Sequence, residues 1–319
     1  MMAAEYADAG GIDAGRLLRH RSRGPMLGEV CASAHRGMVV TTVLDPCEQP
    51  FLDDHRIDGT PVLPGVMGME AFAEAAELVA PAGYRVAEVA DVAFHAPLKF
   101  YRDEPRTVTV TAQAHPAPDG DDLLVECTLT AERSLPGHDS PTLTTHFTGI
   151  VRLSAAAPAE ETVEPVGPPE AGELSPEEVY RLYFHGPAYQ VVGAAWASRG
   201  TAVARLAEGL PDNHLPADAP LVGAPRLVEL AFQTAGLWEA GRDGRLGLPH
   251  RVGSLRVRPA TSDGPVYAVA RQSGESSFDV RVVDEDGQVL VRLDEYVSIP
   301  LPAPIDPEVQ GPLGEVFGA

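Results

Sequence analysis

One order of elements is predicted twice along this chain of 319 residues. A strand, a long apolar helix and a run of β-branched strands occur in each half, displaced by roughly 160 residues. The first helix is predicted to begin at Pro64-Gly65, and the second to cover residues 225–241. Neither helix could stand alone in water, and each sheet needs one covered face. The sequence therefore predicts an α+β fold in which two joined sheets each wrap around a helix.

The hydrophobic pattern also predicts the strands and the boundaries between the halves. Strands are predicted over residues 39–44, 86–98, 107–114, 123–131 and 142–153, and then over 191–196, 201–206, 253–258, 266–272, 278–283 and 289–299. Ala, Pro, Glu and Gly dominate residues 155–172, which is typical of an exposed, extended linker. We predict an N-terminal arm (1–25), a first half (26–154), a linker (155–174), a second half (175–302) and a C-terminal tail (303–319).

Composition and charge exclude several classes of function. Asp and Glu total 46 against 24 for Lys and Arg, a net charge of -22 that argues against nucleic acid and anionic membranes as partners. No run of about 18 apolar residues occurs, so we expect no membrane span. Three cysteines without paired metal spacing fit a reducing, cytoplasmic setting. The histidines show no metal spacing either, and no nucleotide-binding glycine motif is present, so we expect no metal and no cofactor.

A histidine in a turn-rich loop comes just before the first predicted helix. His55 is followed by Gly59, Pro61, Pro64 and Gly65, and such turn chemistry builds a rigid loop. Pro64 starts the helix, and Gly65 leaves its backbone N–H open to close approach. The N–H groups at a helix N-terminus have no intrahelical partner. The sequence thus pairs a candidate base with a candidate oxyanion site, although a single histidine is more often a satisfied loop or core residue.

A carboxyl and an amide lie four residues apart on the second predicted helix. Glu229 and Gln233 therefore share one helix face, and their neighbours are apolar. A carboxyl in such surroundings resists ionisation, which keeps an acid protonated near neutral pH. Taken alone, the pair could be an ordinary polar helix face. Glu70 on the first helix is a rival acid, better explained as a buried carboxyl bound to backbone or a residue on the solvent side.

A third motif, His185-Gly186-Pro187-Ala188-Tyr189, follows the short helix predicted at residues 175–178. A His-Gly-Pro turn aims one side chain into a cleft, and the proline stiffens it. His185 and Tyr189 are both candidates for a hydrogen bond to a substrate. The signal of this motif by itself is weak.

Together these motifs resemble the dehydratase domains of type I polyketide synthases and related polyunsaturated fatty acid synthases, over about residues 26–302. Three family motifs are matched: His-x-x-x-Gly-x-x-x-x-Pro by His55, Gly59 and Pro64, Asp-x-x-x-Gln by Glu229 and Gln233, and Tyr-Gly-Pro by His185, Gly186 and Pro187. Leu248-Pro249 matches a further Leu-Pro segment. Glu229 stands where the family has aspartate, and His185 stands where it has tyrosine. With these replacements the motifs look more like those of iterative, polyene-making synthases, including the enediyne type, than those of modular synthases. These replacements leave an altered or lost activity open.

The resemblance implies a double hotdog fold and the elimination of water from a β-hydroxyacyl thioester in polyketide or fatty acid biosynthesis. It implies that neutral His55 removes the α-proton and that protonated Glu229, oriented by Gln233, donates to the departing hydroxyl. The Gly65 N–H would stabilise the thioester oxygen, and His185 or Tyr189 would hold the hydroxyl. The implied partners are an acyl carrier protein with its phosphopantetheine-linked acyl chain and a second copy of the chain, paired through a free edge strand.

Two other functions stay open at this point: a double-bond isomerase or cyclase that uses the same residues, and a non-catalytic hotdog scaffold. Acyl carrier proteins are usually acidic, so long-range attraction to this acidic chain is unfavourable. We therefore predict a local basic patch, drawn from the N-terminal arginines or from Arg226, Arg242, Arg245, Arg251 and Arg256.

Overall fold

The computed structural model describes residues 24–33, 35–133, 142–258, 264–302 and 304–318. The arginines of the predicted N-terminal arm lie outside the described residues. The helices are α1 (Pro50–Asp53), α2 (Gly65–Val79), α3 (Pro176–Val179), α4 (Pro225–Asp243) and α5 (Pro307–Phe317).

The first eight strands precede α3. They are β1 (Glu29–Ser33), β2 (Gly37–Leu44), β3 (Arg56–Ile57), β4 (Thr60–Pro61), β5 (Arg85–Phe94), β6 (Arg106–Pro116), β7 (Leu123–Arg133) and β8 (Thr142–Ser154). The second half contributes β9 (Val192–Ser198), β10 (Thr201–Leu206), β11 (Gly247–Val257), β12 (Val266–Gly274), β13 (Ser277–Asp284) and β14 (Val289–Pro300).

All strands of the described residues except the hairpin β3–β4 form one antiparallel sheet of twelve strands. Its order is β1-β2-β6-β7-β8-β5-β11-β14-β13-β12-β10-β9. The halves meet where β5 pairs with β11, with Val89 opposite Leu255 and Val92 opposite Val252. Backbone hydrogen bonds therefore continue from one half into the other, as predicted for two joined sheets.

Each long helix lies against the sheet of its own half. Helix α2 contacts β5, β6 and β8, whereas α4 contacts β10, β12 and β13. Both helices are buried on nearly all sides, as expected for a helix that a sheet wraps. Helix α4 ends at Asp243 and is capped by Gly244, whose left-handed φ of 63° is readily adopted by glycine. The repeat in the sequence is thus a repeat of sheet around helix.

The structure differs from the predicted elements at several places. Residues 307–317 of the predicted C-terminal tail form α5, because Leu313 and Phe317 are buried against α4. Strand β11 begins at Gly247, six residues earlier than predicted, since Leu248 pairs with Ile299 of β14. The pattern also missed β1 and the hairpin β3–β4.

The predicted linker is largely exposed and extended, and it is attached to the second half. The backbone N–H of Glu170 donates to Ala197 on β9, and Leu174 exchanges two backbone hydrogen bonds with Ala195. Earlier in the linker, the backbone N–H of Val163 donates to the carbonyl of Gly287. The linker therefore covers part of the outer edge of β9.

Candidate active site

A cavity of about 210 Å³ lies at the junction of the two halves. Residues from both halves line it, and most of the wall is aromatic or aliphatic. The lining includes His55, Gly65, Phe94, Phe147, His185, Glu229, Phe232, Gln233, Leu248 and Pro249. The motifs found in the sequence thus come together around one space.

The hairpin β3–β4 fixes the position of His55. Its two-residue turn consists of Asp58 and Gly59, which both have positive φ, 50° and 75°, as a type I′ turn requires. The turn brings Val62 back to His55, and the Val62 N–H donates to the His55 carbonyl over 2.9 Å. Nδ1 of His55 lies 2.8 Å from the Val62 carbonyl oxygen. Because a carbonyl only accepts, Nδ1 carries the hydrogen and Nε2 is the basic nitrogen.

Gly65 is the first residue of α2 and lines the cavity. The carbonyl of the preceding Pro64 accepts hydrogen bonds from the N–H groups of Met67 and Gly68, both over 3.1 Å. A Cβ atom on Gly65 would lie 2.8 Å from Cε1 of Phe94, so a larger residue would displace this wall. The Gly65 N–H belongs to the first turn, where a helix offers donors to a ligand.

The loop of His185 is fastened to the loop of His55 by backbone and by Asp54. His55 and His185 form an antiparallel backbone bridge. The Gly186 N–H donates to the Asp54 carbonyl and the Ala188 N–H to the Asp54 carboxylate, each over 2.7 Å. A Cβ on Gly186 would collide with the Asp54 side chain, which explains the glycine. Sequence reasoning missed Asp54, since its partners lie more than 130 residues away.

Glu229 is held by two side chains on the same oxygen. Gln233 donates to Oε1 over 2.9 Å, and Nε2 of His185 lies 3.1 Å from Oε1. Gln233 also donates to the carbonyl of Tyr189 over 3.0 Å and accepts from the hydroxyl of Tyr180 over 2.9 Å. The amide of Gln233 is therefore fixed, and it orients the carboxylate.

Burial and charge set the ionisation of the two candidate catalytic groups. Burial, with a smaller contribution from the nearby His185, lowers the pKa of His55 to about 4, so the imidazole is neutral at pH 7. Burial by itself raises the pKa of Glu229. The hydrogen bond and charge of His185, together with His55 and Gln233, outweigh it and lower the pKa below its usual value. The direction of this pKa shift is opposite to the one expected from burial alone.

Two other sequence candidates lie elsewhere. Tyr189 is fully buried, with its ring centroid 6.4 Å from that of His55, and it is not among the residues that line the cavity. Tyr189 therefore lies behind the histidine loops and not on the cavity wall. The buried carboxylate of Glu70 accepts hydrogen bonds from the N–H groups of Val222 and Gly223, each over 2.6 Å. Glu70 is thus occupied by backbone, outside this cavity.

The described part of the chain contains no group of three or more His, Cys, Asp or Glu side chains placed to hold a metal ion. Among the same residues, no helix is long and apolar enough to cross a membrane.

Comparison with known families covers most of the chain. Residues 24–126 match the family model of the polyketide synthase dehydratase domain, and residues 158–308 match that of the polyketide synthase dehydratase N-terminal domain. The chain belongs to the polyketide synthase dehydratase family. This confirms the resemblance seen in the motifs.

Three individual proteins illustrate the similarity in sequence or in fold. Polyketide synthase ThaG of Burkholderia thailandensis is 29% identical over 264 residues, which are 78% of this chain and 4% of ThaG. The dehydratase domain from the CurF module of the curacin polyketide synthase superposes with a TM-score of 0.71 at 19% identity, over 87% of this chain and 99% of that domain. The dehydratase domain of PpsC from Mycobacterium tuberculosis, solved with C12:1-CoA, superposes with a TM-score of 0.66 at 22% identity. The match covers 87% of this chain and 99% of that domain.

These comparisons confirm the predicted fold: the chain is a double hotdog. The chain spans about 4% of the length of ThaG.

Proposed function

We propose that this chain removes water from a β-hydroxyacyl thioester carried on an acyl carrier protein and yields the α,β-enoyl thioester. One observation carries the proposal: His55 of the first half and Glu229 of the second half line one cavity at the junction of the halves. A neutral base and a carboxyl group in one apolar space are what a 1,2-elimination of water needs.

The base step is supported by the state of His55. Because the Val62 carbonyl takes the Nδ1 hydrogen, Nε2 has a free electron pair. The lowered pKa keeps this pair available at pH 7. Nε2 removes a proton from the α-carbon, and the electrons of that C–H bond form the new double bond as the β-hydroxyl leaves.

The charge that develops on the thioester oxygen is met by the start of α2. Gly65 lines the cavity at the N-terminus of α2, which is the positive end of the helix. A donor that hydrogen-bonds to such an oxyanion contributes about 2.7–4 kcal/mol to transition-state stabilisation. The departing hydroxyl needs a proton, which Glu229 passes on with Gln233 fixing its orientation.

The walls of the cavity fit an acyl chain. Phe94, Phe147, Phe232 and Leu248 offer apolar contacts, and the Phe232 ring stacks on Tyr296 at 4.4 Å between centroids. PpsC, a relative of the same fold, was solved with an acyl thioester, C12:1-CoA. Both facts support an acyl thioester as the substrate class.

The proposed carrier protein would approach near the end of α4. Arg242 and Arg245 are exposed close to Leu246 and Gly247, which line the cavity. Arg251 and Arg256 of the predicted basic patch instead form ion pairs with acidic side chains of the junction, such as Asp91 and Glu88. Arg226 donates to the Pro211 carbonyl. We therefore centre the proposed patch on Arg245, since the Arg242 guanidinium lies over the Trp238 ring, 4.9 Å from its centroid.

A second copy of the chain is the other proposed partner. Strand β1 is at one end of the sheet, whereas the linker covers part of β9 at the opposite end. Unpaired N–H and C=O groups on an edge strand are a template for pairing with another chain. We propose pairing through β1.

Mass spectrometry of a β-hydroxyacyl carrier protein incubated with the chain tests the proposed reaction. We expect the loss of one water with the native protein and its gain from the enoyl form, since the reaction is reversible. His55→Ala should abolish both. His95→Ala is the matched control, because His95 lines the same cavity and hydrogen-bonds to Thr148 over 2.8 Å. No mass change in either direction across several chain lengths would exclude a dehydratase and favour an isomerase, a cyclase or a scaffold.

A further inference from the structure

The hydroxyl of Tyr296 is an unpaired polar group in the wall of the cavity. Tyr296 lies on β14, lines the cavity and has 3% of its surface exposed. No hydrogen bond joins its hydroxyl to another described residue. The Tyr189 hydroxyl is also unpaired, but it is sealed within the protein, whereas the Tyr296 hydroxyl is not. The Tyr296 hydroxyl is therefore open to the space of the cavity.

The other polar side chains of the cavity wall already have partners. Each of the following makes a hydrogen bond or an ion pair within the described residues: His55, His95, Tyr183, His185, Glu229 and Gln233. Ser298, two residues beyond Tyr296 on the same face of β14, donates to Glu239 over 2.7 Å. A buried polar group usually has a partner, so the Tyr296 hydroxyl is the exception and is available to a ligand.

Differences in exposure separate the mouth of the cavity from its deep side. Ile299 also lines the cavity, three residues beyond Tyr296 on β14, and has 49% of its surface exposed. Phe232 and Gly236 are buried lining residues on α4, one and two turns beyond Glu229. The ring of Tyr296 stacks on that of Phe232. Tyr296 therefore lies on the deep side of the catalytic carboxyl, where an acyl chain extends beyond its reacting carbons.

The surroundings of the Tyr296 hydroxyl determine what it can bind. The stack with Phe232, at 4.4 Å between centroids and 11° between the ring planes, fixes the ring. Burial, followed by the influence of Glu239 and Glu229, raises the pKa of Tyr296, so the hydroxyl keeps its hydrogen and can donate it. The same two carboxyl groups disfavour a negative charge nearby. The partner that fits is a neutral oxygen atom, in a hydroxyl or a carbonyl group.

We propose that Tyr296 donates a hydrogen bond to a neutral oxygen on the acyl chain beyond the β-carbon, so that the substrates are β-hydroxyacyl thioesters with a further oxygen. The inference rests on the dehydratase function proposed above. Tyr296 is then a residue that determines specificity and takes no part in the proton transfers. A plain methylene chain would cover the hydroxyl without giving it a partner, which costs binding energy. A polyene chain, which has no such oxygen, is disfavoured for the same reason.

Calorimetric titration with acyl pantetheine thioesters tests this contact separately from catalysis. Hexanoyl and octanoyl pantetheine are compared with 5-oxohexanoyl and 7-oxooctanoyl pantetheine, none of which has a β-hydroxyl to lose. We expect at least one oxo ligand to bind about fivefold or more tightly than its plain counterpart, as one net hydrogen bond allows. Equal dissociation constants within both pairs overturn the proposal. Because no elimination takes place, this result is separate from a failure of the dehydratase function, which the His55→Ala assay reports.

Tyr296→Phe assigns the preference to the hydroxyl, because it removes that group and keeps the ring that stacks on Phe232. We expect the preference for the oxo ligand to fall to less than about twofold. Tyr267→Phe is the matched control, since Tyr267 packs against Trp196 and is not among the residues that line the cavity. An unchanged preference in Tyr296→Phe contradicts the proposal. If this variant does not fold, the paired titrations of the native protein decide.

Turnover kinetics distinguish a role in specificity from a role in the chemical step. Carrier-borne 3-hydroxyacyl substrates are compared with and without a carbonyl at the position that the titrations select. We expect the additional oxygen to lower KM in the native protein and to leave kcat nearly unchanged, because the contact is made equally before and during the elimination. Tyr296→Phe should remove this difference in KM. An effect of Tyr296→Phe confined to kcat would place the hydroxyl at the reacting carbons and overturn the proposal.

Discussion

Asp54→Ala should loosen the contact between the loops of His55 and His185. The variant removes the carboxylate that accepts the Ala188 N–H over 2.7 Å, and Ala188 is fully buried. A buried donor left without an acceptor costs about 1–3 kcal/mol. At about 2.1 cal/mol/K of unfolding entropy per residue, a loss of about 2 kcal/mol lowers the Tm of a chain of this size by about 3 °C.

The same change should reduce catalysis more than stability. The bridge between His55 and His185 depends on loops that Asp54 holds, and a displacement of about 1 Å in a reacting group can cost about 100-fold in rate. We expect kcat to fall at least tenfold in the carrier-protein dehydration assay, and calorimetry to show the lower Tm.

Two variants serve as controls for Asp54→Ala. Asp54→Asn keeps an oxygen that can accept the Ala188 N–H, and it should recover most of the lost activity. Asp53→Ala removes the neighbouring exposed carboxylate, which pairs with Arg56, and should change stability by less than about 1 kcal/mol. Native Tm and kcat in Asp54→Ala would refute the reasoning that Asp54 fastens the two loops.

Three further predictions concern pH, the cavity wall and the carrier protein. Between about pH 6.5 and pH 4 the free energy of unfolding should fall by about 3 kcal/mol as pH decreases, because unfolded His55 binds a proton there that native His55, with its pKa lowered to about 4, does not. Gly65→Ala should lower kcat/KM at least tenfold in the dehydration assay, because its Cβ would meet Phe94 at 2.8 Å. Arg245→Glu should raise KM for a carrier-borne substrate and leave turnover of a small thioester mimic unchanged.

Each of these predictions has its own control. His55→Asn should give a flatter dependence of stability on pH in urea titrations, and an unchanged slope would count against the lowered pKa. Gly59→Ala adds a Cβ in open space at a positive φ, so it should cost about 1 kcal/mol of stability without narrowing the cavity. Arg251→Glu changes an arginine that is already ion-paired, and its KM for the carrier-borne substrate should change less. Equal effects of both arginine variants on both substrates would contradict the proposed docking patch.

The two long helices and the turn-rich loop after His55 could be predicted from the sequence because their causes are local. The apolar runs of α2 and α4 and the turn residues that follow His55 are properties of neighbouring residues. Helix α5 was missed because Pro312 and two glycines give it poor helix propensity, which burial of Phe317 against α4 overrides.

The ionisation of the site could not be predicted, since its cause is spatial. Sequence reasoning placed Glu229 among apolar neighbours and concluded that it is protonated. It could not place Nε2 of His185 at 3.1 Å, and that contact reverses the direction of the pKa shift. The same limit applies to Asp54, whose partner Ala188 lies in the other half of the chain.

The bridge between His55 and His185 has a consequence for the design of variants. Because backbone and Asp54 join the two loops, neither loop can close over a ligand independently of the other. Selection among substrates then depends on how well each acyl chain fits a preformed cavity, and not on loops that rearrange around the substrate. Efforts to accept longer or branched acyl groups should therefore reshape the walls at Phe232 and Leu248 and leave the histidine loops untouched.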